Sequence, residues 1–267
     1  MTKQIQPKLK LYWLNNSRAQ RIVWLLEELG LPYEVEIFHR NKDMFAPSEL
    51  RKVHPLGKSP MVKVTIPQTS QPATQKELVL AESGLIAQYL ADHFGPALLP
   101  KRYRDGQEGQ PGGETEEWMR CQYFLHYAEG SLHPPLLVQL ILMILKGPKI
   151  PFVIRPITSF VVDKMFENFV APQMALHLGF VESQLATAPG KGGYLCGDRL
   201  TVADILMSYP LLEARDRAYQ LETGKTTERK KWSERYPKLW DYLKRLEEEP
   251  GFKRAEVKIT ELEAGRK

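Results

Sequence analysis

The chain has few cysteines, little net charge and no long apolar run. Its two cysteines, Cys121 and Cys196, are far apart and form no metal or redox motif, so we expect a reduced, cytoplasmic setting and no metal. The net charge of +5 comes from 37 basic and 32 acidic residues without a long basic run, which argues against nucleic-acid binding. The first residues are polar and predict no signal peptide.

The first third of the chain alternates short strands with helices. Alternating apolar residues predict the strands, and an apolar face followed by Gly30 predicts the first helix. The predicted strands cover 8–14, 33–38, 60–66 and 77–81, and the helices cover 18–29, a turn at 48–52 and a segment from Ser83. This order predicts a thioredoxin-like α/β domain over residues 1–95.

The rest of the chain is predicted to be helical. Residues 96–113 are dense in glycine and proline, which predicts a linker between domains. Residues 114–267 are then predicted to form an all-helical domain. Apolar spacing predicts helices over 114–129, 158–187, 201–220 and 236–248, and more weakly over 251–263.

The run Leu-Thr-Val-Ala-Asp-Ile at 200–205 is a variant of the capping box. Thr201 is predicted to cap the helix, Asp204 to reach back to the backbone, and Leu200 to pack on Ile205. We therefore interpret Asp204 as a folding element and not as a catalytic acid.

The most informative pair in the chain is Glu82-Ser83, which follows a strand and begins a helix. Free N–H groups at the start of a helix bind anions. A small zwitterion would fit there, with its ammonium on Glu82 and its carboxylate on Ser83 and the helix amides. Taken alone, the pair is explained equally well as a helix cap and a first-turn acid.

A second polar segment precedes the third strand. A proline that opens a strand, Pro60, suggests a cis bond after Ser59 that would turn the Ser59 backbone outward to pair with an extended peptide. Lys58 and His54 could meet a carboxylate there, although isolated loop residues of these types are often simply solvated.

Ser17 follows the first strand at the start of the first helix, behind Asn16. A hydroxyl at this position is either a helix cap or a donor to an anion. Thioredoxin-like redox proteins carry Cys-x-x-Cys here, whereas this chain reads Ser-Arg-Ala-Gln. Any reactive sulfur must therefore arrive with a ligand.

Five runs together resemble the cytosolic glutathione S-transferases, and most closely their fungal and bacterial branch. They are LNNSRAQRIVWLLEELGLPYE from residue 14, HPLGKSPMV from 54, AESGLIAQYL from 81, AEGSLHPPL from 128 and LTVADILMSYP from 200. The resemblance implies that the glutathione peptide pairs with Ser59, and that Glu82 and Ser83 hold its γ-glutamyl group. It also implies a serine-type catalyst, Ser17, four residues before Arg21, although Asn16 is an alternative contact for the sulfur.

The resemblance further implies a homodimeric detoxification enzyme that conjugates glutathione to small hydrophobic electrophiles, with reduction of peroxides by the same thiolate as a variant. The predicted pocket for the second substrate has one residue from the first domain and four from the second: Trp13, Arg120, Tyr123, Phe124 and Tyr127. The aromatic residues of this set could equally belong to the hydrophobic core. The alternative function is a non-catalytic glutathione-binding or regulatory protein on the same fold.

Residues 134–162 are the most apolar part of the chain. Either the helical core and a dimer partner cover them, or they meet a membrane surface beside Lys146, Lys149 and Arg155. Prolines 148, 151 and 156 are expected to keep each stretch too short to span a bilayer. We expect a soluble protein with a mobile 147–157 loop over the substrate pocket and, at most, weak and salt-sensitive peripheral membrane contact.

Overall fold

The computed structural model describes residues 7–67, 75–147, 150–221 and 232–264. Their contacts divide the chain into two compact units. The first unit runs to Leu99 and also includes the C-terminal stretch from Glu247, and the second runs from Pro100 to Leu246.

The first unit contains a four-stranded sheet with helices, in the order expected from the sequence. Its elements are β1 (Lys8–Leu14), α1 (Gln20–Leu29), β2 (Tyr33–Phe38), a 3-10 turn (Ser48–Lys52), β3 (Met61–Pro67), β4 (Gln75–Ala81) and α2 (Ser83–Phe94). The strand order is β2-β1-β3-β4, with β1 parallel to β2 and the β1–β3 and β3–β4 pairs antiparallel. The thioredoxin-like α/β prediction is confirmed.

Helix α1 ends as its sequence predicts. Gly30 adopts the left-handed conformation with φ 61°, and its N–H donates to the Glu27 carbonyl. A glycine reaches this conformation without steric cost, so the last turn closes and the chain enters β2.

The C-terminal helix packs on α1, a placement that the domain prediction over 114–267 did not contain. This helix is α10 (Pro250–Ala264). Phe252 meets Trp24 edge-on at 5.1 Å between ring centroids, and Arg254 donates to the Glu27 carbonyl at 2.8 Å. Contacts between residues so distant in sequence leave no local signal, so the predicted boundary placed this helix with the other unit.

The second unit is all-helical, as predicted. Its longer elements are α3 (Glu116–Tyr127), α4 (His133–Lys146), α5 (Arg155–Met165), α6 (Ala171–Ala186), α7 (Val202–Leu221), α8 (Trp232–Arg235) and α9 (Pro237–Glu248), the last of which extends into the C-terminal stretch. Two single-turn π-helices, Ala128–Leu132 and Phe166–Val170, join α3 to α4 and α5 to α6. Because a π turn absorbs an extra residue without ending the helix, each pair forms one long helix.

The α3–α4 helix overturns one argument from the sequence. It runs 31 residues from Glu116 to Lys146, and by length and composition it is sufficient to cross a membrane. Only 28% of its apolar window is buried. The prolines after residue 146 end this helix but do not shorten it, because it began well before the apolar run.

The predicted linker has local order. The Arg104 N–H donates to the Gly113 carbonyl at 2.9 Å, and the Thr115 N–H donates to the Arg102 carbonyl at 2.8 Å. The glycine-rich run therefore folds back on itself in tight turns. It returns the chain to Thr115, whose hydroxyl oxygen accepts from the Trp118 N–H and caps α3.

Asp204 is completely buried and acts as the predicted folding element. Its Oδ1 accepts from the Leu195 N–H and the Tyr242 O–H, each at 2.9 Å. Its Oδ2 accepts from the Thr201 N–H at 2.8 Å and from the Thr201 hydroxyl at 2.6 Å. The Thr201 hydroxyl thus donates to the carboxylate, whereas the sequence predicted that it would cap the helix N–H groups.

The two cysteines are neighbours in space. Both are buried, and the pKa of the Cys196 thiol is raised first by a hydrogen bond with Cys121 and then by burial. The Thr201 Oγ1 lies 3.5 Å from the Cys196 Sγ. Their separation in sequence concealed this contact, and both cysteines are free thiols.

Candidate functional site

The structure brings six of the predicted site residues into one cleft of the first unit. The cleft holds about 340 Å³ of empty space, including space open to solvent. The predicted residues that line it are His54, Lys58, Ser59, Pro60, Glu82 and Ser83. They come from the segment before β3 and from the junction of β4 with α2. These two places adjoin because β3 and β4 pair from Met61 opposite Ala81.

Glu82 and Ser83 have no internal partner for their side chains. Within the described residues, neither the carboxylate nor the hydroxyl forms a hydrogen bond, although Ser83 is only 4% exposed. Glu82 also has φ 69°, a backbone conformation that non-glycine residues seldom adopt. A strained acid at an uncapped helix start, facing a cleft, is suited to hold a ligand with an ammonium and a carboxylate.

Ser59 presents its backbone to the same cleft. The Ser59–Pro60 peptide bond is cis, as predicted. The Ser59 hydroxyl donates to the Tyr12 carbonyl at 3.1 Å, which ties the segment to β1. The Ser59 backbone N–H and C=O have no protein partner in the described ranges, so both can pair with an extended peptide.

The two basic residues of this segment differ. The His54 Nδ1 accepts from the Leu56 N–H at 3.4 Å, which is a local turn contact. The Lys58 side chain is exposed and has no ion pair in the described part of the chain. Lys58 is therefore the better candidate of the two to meet a carboxylate of a ligand.

Ser17 and Asn16 stand in the β1–α1 loop in opposite situations. The Ser17 hydroxyl is buried, donates to the Leu14 carbonyl at 2.7 Å and accepts from the Ala19 N–H at 3.2 Å. Asn16 is exposed with φ 48°, and its side-chain amide is unpartnered within the described residues. The amide is free to donate to a ligand, whereas the hydroxyl already fills a structural role.

Arg40 holds this loop in place, and no local pattern pointed to it. Its guanidinium donates to the carbonyls of Asn15, Asn16 and Met44 at 3.2, 3.1 and 2.9 Å. Its backbone N–H also donates to the Asn15 side-chain oxygen at 2.8 Å. Arg18 and Leu56 line the cleft and were likewise missed. The position of Arg18 beside Ser17 was the available signal.

The predicted second-substrate residues divide into core and surface. Trp13 in the first unit and Phe124 in the second have no exposed surface, which favours the core alternative for both. Arg120 donates to the carbonyls of Gln184, Thr187 and Leu195 and thereby braces the helices of its unit.

Tyr123 is the accessible member of that set, whereas Tyr127 is buried at 7% exposure. Tyr123 is 49% exposed and stacks on Tyr127 with ring centroids 5.5 Å apart. The Tyr127 hydroxyl lies 2.6 Å from the His177 Nδ1, and Phe180 packs against both tyrosines. Burial raises the pKa of the Tyr127 phenol and lowers that of the His177 imidazole, so both are neutral near pH 7.

Comparison with known proteins agrees with the fold. The family models for the glutathione S-transferase N-terminal and C-terminal domains match residues 17–93 and 155–254. The Saccharomyces cerevisiae glutathione S-transferase 1 is 33% identical over 256 residues, which cover 96% of this chain and 97% of the yeast protein.

Solved structures give the same result. An Actinobacillus pleuropneumoniae glutathione S-transferase has a TM-score of 0.60 and 27% identity, covering 94% of this chain and 93% of its own. A Lodderomyces elongisporus glutathione transferase homologue, solved with two glutathiones per subunit, has a TM-score of 0.63 and 23% identity, covering 93% and 97%. The fold defines a protein with a thioredoxin-like α/β domain and an all-helical unit. The chain belongs to the glutathione S-transferase family.

Proposed function

We propose that the cleft of the first unit binds glutathione and that the protein conjugates its thiolate to small apolar electrophiles. The observation that carries this proposal is the unpaired set at the cleft. The Glu82 carboxylate would hold the γ-glutamyl ammonium, and Ser83 with the first N–H groups of α2 would hold the adjoining carboxylate. The Ser59 backbone would pair with the peptide, and Lys58 would meet the glycine carboxylate.

For the sulfur we propose Asn16 as the donor and Ser17 as the residue that shapes the loop. A thiol with a pKa near 8.5 needs a positive or hydrogen-bonding environment to ionise at pH 7. The Asn16 amide is free to provide it, while the Ser17 hydroxyl would first have to leave the Leu14 carbonyl. A serine-type catalyst is the competing assignment. The single substitutions Asn16→Ala and Ser17→Ala distinguish the two.

For the electrophile we propose the exposed face of Tyr123, whose ring stacks on the buried ring of Tyr127. Their stacked rings offer an apolar face, and the Tyr127–His177 pair places neutral polar groups beside it.

Reduction of small peroxides is a second activity of the same thiolate. Detoxification, a cytoplasmic location and a homodimer belong to this proposal. Sedimentation at micromolar concentration tests the dimer, and a monomeric mass would contradict it.

The experiment is a calorimetric titration with glutathione, followed by turnover with an aryl halide, an unsaturated carbonyl and a hydroperoxide. Glu82→Gln should weaken binding. Asp92→Asn is the matched control, because Asp92 is an exposed acid on the same helix outside the cleft. Equal affinity in both variants would remove the cleft from the proposal. Tight binding without turnover on any substrate would instead favour the non-catalytic alternative.

A further inference from the structure

The hairpin formed by α4 and α5 exposes an unusual amount of apolar surface. We call this surface the tip patch. It comprises the turn at 150–154 with the outward faces of the two adjoining helices. In the turn, Phe152 is 80% exposed and Val153 is 68% exposed. On α5, Ile157 is 67% exposed and Phe160 is 65% exposed. Soluble proteins leave single apolar side chains exposed, but a contiguous group of this kind marks a contact surface.

The opposite sides of the same helices are ordinary core. Leu142 of α4 packs with Val162 of α5 and Val170 of the following π turn. The hairpin is therefore held together by its own small core, and the tip patch is what remains outside that core. Helix α4 is apolar on nearly all sides, and a helix of this kind is normally covered on most of them. The described residues leave its outer side exposed, so we expect another surface to cover it.

The charge of the segment complements an anionic surface. Residues 130–162 contain no acidic side chain, and in the sequence Lys146, Lys149 and Arg155 lie on either side of the apolar run 150–154. Arg155 closes the turn by donating to the Ile150 carbonyl at 2.9 Å. Lys146 pairs with Asp163, the first acid after the segment. An apolar tip with basic residues at its base is the arrangement that favours insertion among anionic headgroups.

We propose that the tip patch inserts into the headgroup–acyl boundary of a membrane that contains anionic lipid. A second copy of the chain is a poorer occupant, because a two-fold contact through this surface would oppose Lys146 and Arg155 to like charges. The contact is interfacial. The uncharged part of the helix, from Gly130 to Leu145, is only about 24 Å long at about 1.5 Å per residue, against a hydrocarbon core of about 30 Å.

The mode of insertion differs from the weak, salt-sensitive contact expected from the sequence. Buried Phe152 and Ile157 would add an apolar contribution that salt does not screen, while the basic flank would add a contribution that salt does screen. We therefore expect more binding to vesicles with phosphatidylserine than to phosphatidylcholine alone, and only partial release at high salt.

The test is flotation of the full chain with vesicles of phosphatidylcholine, with and without phosphatidylserine, at low and high salt. The Phe152→Glu/Ile157→Glu double variant should lower the bound fraction by about tenfold or more, because two charges would enter the acyl boundary. Val257→Glu is the control, since Val257 is an isolated exposed apolar residue on α10 and its substitution should leave flotation unchanged. Unaltered glutathione affinity would show that the double variant is folded.

A second readout does not depend on that variant. Cys121 and Cys196 are both buried, so an environment-sensitive dye should label Phe152→Cys selectively. Its emission should shift to the blue on adding anionic vesicles, and the same dye on Val257→Cys should not shift. The proposal is overturned if the wild type does not float, if the double variant floats as the wild type does, or if high salt releases everything. Loss of a dimer in the double variant, without any flotation of the wild type, would identify a second copy as the occupant.

Discussion

Two acidic residues lie at the starts of two helices in this chain, and they differ in burial and in hydrogen bonding. Asp204 at α7 is fully buried, and its oxygens accept four hydrogen bonds from its own unit. Glu82 at α2 is exposed, strained and without a side-chain partner in the described ranges. Both are carboxylates near a helix start, so what separates a folding element from a binding element is whether the protein itself satisfies the carboxylate.

Substituting Asp204 and substituting Glu82 should therefore affect different properties of the protein. Removing Asp204 leaves buried donors unpaired and should affect folding. Removing Glu82 leaves nothing unpaired until a ligand arrives, so it should affect binding and not the stability of the free protein. Substitutions at these residues test whether the effects on folding and on binding are separate.

Asp204→Ala should cost about 3–5 kcal/mol in the free energy of unfolding, because the Tyr242 hydroxyl, two backbone N–H groups and the Thr201 hydroxyl lose their acceptor in the interior. Urea denaturation measures this loss. Asp204→Asn keeps part of the acceptor set and should cost less. A change under about 1 kcal/mol in Asp204→Ala would mean that the network does not stabilise the unit.

Asn16→Ala should lower the rate of conjugation by about 10²–10³ while glutathione affinity changes little, because the amide would act chiefly on the thiolate. Ser17→Ala should cost stability through the lost contacts with Leu14 and Ala19, with a smaller effect on turnover per folded molecule. Steady-state kinetics beside urea denaturation separates the two effects. The reverse pattern, with Ser17→Ala inactive and Asn16→Ala active, would restore the serine-type assignment.

The cleft itself should respond in affinity. Glu82→Ala and Ser83→Ala should each weaken glutathione binding by roughly 1.5–3 kcal/mol, the cost of losing a hydrogen bond to a charged group. Titration calorimetry measures this, and circular dichroism checks that α2 persists in Ser83→Ala. Unfolding free energy should stay near that of the wild type in Glu82→Ala. A large loss of stability there would contradict the comparison with Asp204.

Local patterns accounted for much of the fold and of the cleft. Alternation located β1 and β2, Gly30 ended α1, and the Glu82-Ser83 pair pointed to the cleft. What local patterns could not contain were contacts between distant segments, such as Arg40 on the Asn16 loop, Cys121 beside Cys196, and α10 on α1. The continuity of α3 with α4 was also missed, because the predicted helix ended at residue 129, where a π turn carries the helix through.

The Tyr127–His177 pair differs from both acids, because its groups bond to each other while Tyr127 is buried and His177 is partly exposed. Burial lowers the pKa of His177 below its ordinary value of 6.5. The unfolded chain therefore binds the proton more readily than the folded chain, and stability rises with pH across this window. The contribution is complete above pH about 6.5 and is lost as the pH falls from there toward the folded pKa. Its size should be under about 1 kcal/mol, because partial exposure weakens it.

The measurement is urea denaturation on both sides of that window, for the wild type and for His177→Gln. The substitution should flatten the pH dependence, because glutamine has no proton to gain. His126→Gln is the control, since His126 is an exposed histidine on α3 of the same unit. If His177→Gln leaves the slope unchanged while His126→Gln removes it, then burial of the imidazole is not what couples folding to pH. The effect of substitution would then no longer follow how far the protein satisfies each group, from Asp204 with four donors, through His177 with one phenol, to Glu82 with none.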